Sequence, residues 1–217
     1  MKLKSGQAIA ALINVYEMTD VHRLKATLAA NVEMTMGGLD SVLPEVELAA
    51  QAITQSFLND GKLICCGSSA TASISEYCAA IFAHRLQRER PGLPTMALTG
   101  ASIVGQSVAH SVSQHEVHAR QIRSLGNKND CLLIYGPGGD SPASVRAVSA
   151  GHDREIQVVA ITGSSDTDLS ALLTPDDIEI RVPTNSLARL AEAELLLTHC
   201  LCESVEYHLF ALEQENA

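Results

Sequence analysis

Apolar residues at Val21, Leu24, Leu28, Val32 and Met36 recur in steps of three and four, which predicts a helix with one apolar stripe. The segment Leu43-Pro44-Glu45 breaks the chain and restarts it, with proline suited to a first helical turn. Val46, Ala49, Ala50, Ile53 and Phe57 then form a second stripe. Five short apolar runs follow: "KLICC", "PTMALTG", "CLLIYG", "VVAITG" and "IEIRV", separated by segments of helical length. Continuous rather than alternating apolar strands, spaced by helices, predict a parallel sheet covered on both faces. The expected fold is α/β, a doubly wound, three-layer α/β/α sandwich with a five-stranded parallel sheet, preceded by two N-terminal helices. A closing helix is expected from about Ser186 to Phe210, apolar on more than one face. The stripe of the first helix has to be covered, and a neighbouring subunit is the natural cover.

The 217 residues divide into an N-terminal extension (1–20), one domain (21–210) and a flexible tail (211–217). A net charge of -10 at pH 7 and the lack of a long Lys/Arg run argue against binding to a nucleic-acid backbone. Cys65, Cys66, Cys78, Cys131, Cys200 and Cys202 lie in apolar runs without a C-x-x-C pair, which reads as core thiols of a reducing cytoplasm. The N-terminal apolar stretch ends in Glu17 and Asp20 without a cleavage-type site, and no segment reaches membrane-spanning length, so a cytoplasmic protein without a membrane partner is expected.

In a doubly wound sheet ligands sit at the carboxyl ends of the strands, so the loops after Cys66, Leu98, Tyr135 and Ile161 are the places to look. The loop in "LIYGPGGDSPAS" has the layout of a phosphate seat, yet Pro137 has no N–H to give and Asp140 adds negative charge. Ser141 reads as the N-cap of the next helix. His110, His115 and His118 match no zinc spacing and are expected on a solvated or interfacial face.

The helix pair, "CCGSSATASISEYCAA", "RERPGLPTMALT", "LLIYGPGGDS", "VVAITG", "IEIRVP" and the closing helix together resemble the sugar isomerase (SIS) fold, flavodoxin-like in topology, in its phosphoheptose isomerase branch. The resemblance covers about Val21 to Phe210. Through "DDIEIRVP", "CLC" and the terminal "LF", the chain is most similar to the DiaA group of that branch. This resemblance implies a homotetramer that binds the replication initiator DnaA and promotes its assembly at the origin.

The isomerase branch carries C-G-N-G-G-S in its first loop, where this chain has Cys66-Gly67-Ser68-Ser69-Ala70-Thr71; S-T-S-G-N-S in its second falls on Gly136-Pro137-Gly138-Gly139-Asp140-Ser141. Ser68, Ser69, Thr71, Gly138, Gly139 and Ser141 are therefore the candidates for a weak phosphosugar site. At about 1.5–3 kcal/mol for each lost charge-assisted hydrogen bond, three losses in the second loop lower affinity by orders of magnitude. The family's zinc and proton-transfer positions fall on Tyr77, Ile81, Ala191 and His199, of which only His199 keeps the family residue. Ile81 neither takes a proton nor binds zinc, and a lone histidine falls short of a catalytic zinc site, so no cofactor is expected. His199 then reads as a core or interface group, held by Glu203 one turn on; Glu76 is expected to face away from the Tyr77 direction.

These readings favour a catalytically inactive adaptor for DnaA, with Leu209 and Phe210 as partner contacts or as residues that close the core. The alternatives are a phosphoheptose isomerase and a non-catalytic phosphosugar-binding regulator.

Overall fold

The computed structural model describes residues 20–210; the expectations for the rest of the N-terminal extension and for the tail lie outside these residues. Helix α1 spans residues 20–33 and runs into a π-helical turn, Met34–Gly38. A short 3-10 turn leads into α2 (Leu43–Leu58), with Pro44 in its first turn where the missing N–H costs nothing. The sheet strands are β1 (Leu63–Gly67), β2 (Thr95–Leu98), β3 (Cys131–Tyr135), β4 (Gln157–Gly163) and β5 (Ile178–Val182). All pair in parallel, in the order β2-β1-β3-β4-β5. The connecting helices are α3 (Ala72–Ala83), α4 (Ile103–Ser111), α5 (Val117–Leu125), α6 (Pro142–Asp153) and α7 (Thr167–Leu172), and α8 (Leu187–Phe210) closes the fold. No helix among the described residues is long and apolar enough to cross a membrane.

Every residue of β1 and β3 is buried, and alternate side chains feed two separate cores. Leu63, Cys65, Leu133 and Tyr135 pack against α2, α3 and α8; Ile64, Cys66, Leu132 and Ile134 pack against α5, α6 and α7. Continuous apolar strands follow from this double coverage. The six cysteines are free thiols, and Cys65 Sγ lies 3.5 Å from Cys78 Sγ in the first core. Tyr135 and Thr198 join their hydroxyls at 2.8 Å, fixing the end of β3 to the middle of α8.

The turn after α3 is held by Arg90, the arginine of the "RERPGLP" motif. Its side chain is 1% exposed; its guanidinium donates to the carbonyls of Ile81, Phe82 and His84 and to Glu206 Oε1 at 2.7 Å. A planar fork thus satisfies the unpaired carbonyls at a helix end while neutralising a buried carboxylate on α8.

Helix α1 rests on α8 by a polar edge: Arg189 donates to the Thr27 carbonyl at 2.8 Å and Asn31 to Glu192. Its apolar stripe points the other way, leaving Leu28 67% and Met36 70% exposed, with Val21, Leu24 and Val32 exposed beside them. The chain's own core therefore leaves this stripe uncovered.

Removing the fork strands a buried carboxylate and several carbonyls together. Arg90→Met is expected to cost about 3–5 kcal/mol in equilibrium urea unfolding.

Candidate functional site

Strand order reverses between β1 and β3: the chain leaves β1 toward β2 and leaves β3 toward β4, so their following loops diverge. A cleft of about 640 Å³ opens there. Its floor is Gly67, Ser68 and Ser69; one wall is Ser73 and Glu76 of α3 and the other Asp140, Ser141 and Pro142 at the start of α6. Thr99, Gln114, His115 and His118 complete the lining.

The hydroxyls of Ser68, Ser141 and Ser144 meet between α3 and α6. Ser144 Oγ donates to Ser141 Oγ at 3.1 Å, and Ser68 Oγ lies 3.4 and 3.5 Å from the other two. Ser141 and Ser68 face the cleft, while Ser144, 2% exposed, stands behind them. Ser141 also caps α6 as expected, accepting from the Ser144 N–H at 3.3 Å. The cluster thus joins a hydroxyl of the first loop to the N-terminal turn of α6, at the positive end of a 12-residue helix. Among the other expected ligand positions, Ser69 adopts φ 57° and is exposed at the cleft floor. Thr71 instead turns inward, 5% exposed, donating to the Ser68 carbonyl at 2.9 Å.

Gly138 and Gly139 lie outside the cleft lining, and the reason is Asp166. This fully buried carboxylate accepts from Gly139 N–H through Oδ1 and from Gly163 N–H through Oδ2, both at 2.7 Å. Gly136 has no room for a Cβ, which would lie 2.5 Å from Asp166 Oδ2, and Gly138 takes φ 76° against Leu187. The glycine loop holds an anion after all, supplied by the chain itself.

Below it, on α8, Glu194 is fully buried with neither carboxyl oxygen hydrogen-bonded among the described residues. Burial, with the nearby Asp166 charge adding to it, pushes its pKa up to about 9, so the group is a neutral acid at neutral pH.

The family's zinc and proton-transfer positions gather on the facing sides of α3 and α8. Tyr77 Oη and His199 Nε2 are 2.9 Å apart, with their rings edge-on at 5.6 Å. The partner of His199 is thus Tyr77 across the helix pair, where Glu203 was expected along the same helix. Ile81 is 7% exposed within the core, and Ala191 offers no donor. A phenol, an alkyl chain, a methyl group and one imidazole do not fit zinc. Among the described residues no group of three or more His, Cys, Asp or Glu side chains is arranged to hold a metal ion.

Of the remaining groups, only His118 departs from its expected, solvated place. Glu76 faces the cleft, because the first turn of α3 presents Ser73 and Glu76 on one side, three residues apart. His115 and His118 line the cleft as well; His118 is 7% exposed, and burial lowers its pKa. Spacing on an amphipathic helix could have flagged His118, since Ile122, four residues on and so on the same face, is in the core. Leu209 and Phe210, at the end of α8, are half-buried and pack on the first core, with Arg88 donating to the Phe210 carbonyl at 3.2 Å.

The chain belongs to the SIS domain family, whose model matches residues 32–163. It is 37% identical to a phosphoheptose isomerase of Methylococcus capsulatus over 89% of this chain and 99% of that one. It is 35% identical to the DnaA initiator-associating protein DiaA of Escherichia coli, over 87% of this chain and 96% of that one. Among solved structures, a phosphoheptose isomerase from Francisella tularensis superposes with a TM-score of 0.82 at 30% identity, covering 86% of this chain and 97% of the other.

The neutral state of Glu194 has a measurable consequence. The unfolded chain releases this proton near its ordinary value of 4.5, whereas the folded chain keeps it up to about 9. The stabilisation is therefore complete below the lower value and is lost as pH rises across that window. Between about pH 5 and about pH 8, Glu194→Gln is expected to lose about 2–4 kcal/mol less stability than the parent, read by urea unfolding at each pH.

Proposed function

We propose that this chain is a non-catalytic SIS-domain protein that acts by assembly and contact, as an adaptor of the DiaA kind for a DnaA-type replication initiator. Similarity to isomerase and to DiaA is nearly equal, so the reading is supported by particular residues rather than by overall resemblance. The observation that carries the reading is the set Tyr77, Ile81, Ala191 and His199. Moving a proton between neighbouring carbons of a sugar takes a base and an acid over the substrate, often with a metal to polarise the carbonyl. Here the base position is an isoleucine in the core, and the one surviving histidine is engaged by a tyrosine.

Two surfaces support contact as the working mode. The outward stripe of α1 supplies an apolar face that a second copy would cover, consistent with a homotetramer, and repetition of a modest contact around such an assembly raises avidity. The outer edges of Leu209 and Phe210 offer a partner a small apolar anchor at the end of α8. A second reading rests on the serine cluster: the cleft binds a phosphorylated sugar without converting it, and passes that state to the partner.

Purified protein is expected to form no heptose phosphate from sedoheptulose 7-phosphate, with or without zinc, and to retain DnaA in a pull-down that Leu209→Ala and Phe210→Ala weaken. Turnover at enzymatic rates would remove the proposal. Leu28→Asp on the outward stripe is expected to shift the assembly to smaller species in sedimentation, with the far-ultraviolet spectrum of the fold retained.

A further inference from the structure

The cleft is lined by hydroxyls and by the start of α6, and none of its lining residues is a lysine or arginine. Glu76 and Asp140 add acidic groups to the same walls. An anion entering such a cleft meets hydrogen-bond donors but no permanent positive charge. The lining groups able to become cations are His115, exposed at the mouth, and His118, more than nine-tenths buried in the wall.

We propose that the cleft takes up a proton together with its anionic ligand, that His118 receives it, and that binding therefore tightens as pH falls. The inference rests on the cleft being an anion seat and deepens that reading.

The charged groups on the elements packed around His118 are engaged with one another. Glu116, just before α5, is bound by Arg146 of α6 and by Arg123 of α5 itself. Asp153 of α6 lies 3.4 Å from Arg123, and His152 of α6 lies 2.9 Å from Asp177. His110 on α4 and Arg120 on α5 are the remaining basic groups of the packed helices, and neither lines the cleft. Burial is the influence that disfavours the protonated His118 ring. A dianion in the same space reverses the balance: opposite charge nearby favours the protonated ring, which then offers the ligand an N–H donor and a charge. The proton comes from solvent and is released when the ligand leaves.

Sulfate is the probe of choice, because its own charge does not change over the range that matters; sedoheptulose 7-phosphate is the second probe. By calorimetry, the parent protein is expected to bind sulfate about tenfold more tightly at about pH 5.5 than at about pH 8. His118→Gln is expected to abolish most of that difference, and His115→Gln to leave most of it. In the parent protein, the His118 ring resonances are expected to titrate at a higher pH when sulfate saturates the cleft, a readout that needs no variant to fold. Equal sulfate affinity at the two pH values, an unmoved His118 titration, or full pH dependence in a folded His118→Gln would overturn the inference and leave the anion seat standing. Failure of both probes to bind at either pH would overturn the seat and the inference together.

Discussion

The carboxylate of Asp166 sits where the glycine loop after β3 and the end of β4 come closest, and it binds one N–H from each. In a doubly wound sheet such loops usually present their N–H groups to an outside anion. Here the anion is part of the chain, so the loop is shaped before any ligand arrives. The glycine at 136 follows from that arrangement, since any side chain would collide with the carboxylate. Burial chiefly raises the pKa of Glu194 on the same side of the fold, and the Asp166 charge adds to it.

Fold and site were unequally legible in the chain. Doubly buried strands write themselves as unbroken apolar runs, so "KLICC", "CLLIYG" and "VVAITG" could be placed with their order of appearance. The location of the cleft follows from topology alone. Its contents do not: Ser68 comes together with Ser141 and Ser144 from 73 and 76 residues away, and Asp166 reaches Gly139 across 27. His118 was hidden for a different reason. A histidine that matches no ligand spacing reads as solvated, and only its place beside the core residue Ile122 on α5, which packs on α6, marks it as buried.

The same helix pair that would carry proton transfer in the isomerase branch is built here as packing. Ile81 contributes to the core that binds α3 to α8, and the Tyr77–His199 pair ties the helices at their outer edge. An ionisable group introduced at position 81 would stand in an apolar core and be costly there.

The cluster of Ser68, Ser141 and Ser144 has a property that lysine or arginine would lack. Each O–H is a rotor that can turn its hydrogen outward to an occupant or inward to its neighbours, so the seat has no fixed polarity. Such a surface reads shape and hydrogen-bond geometry before it reads sign, and it accommodates water as comfortably as an oxyanion. Discrimination among occupants would then fall to the other lining groups, Glu76 and Gln114 among them.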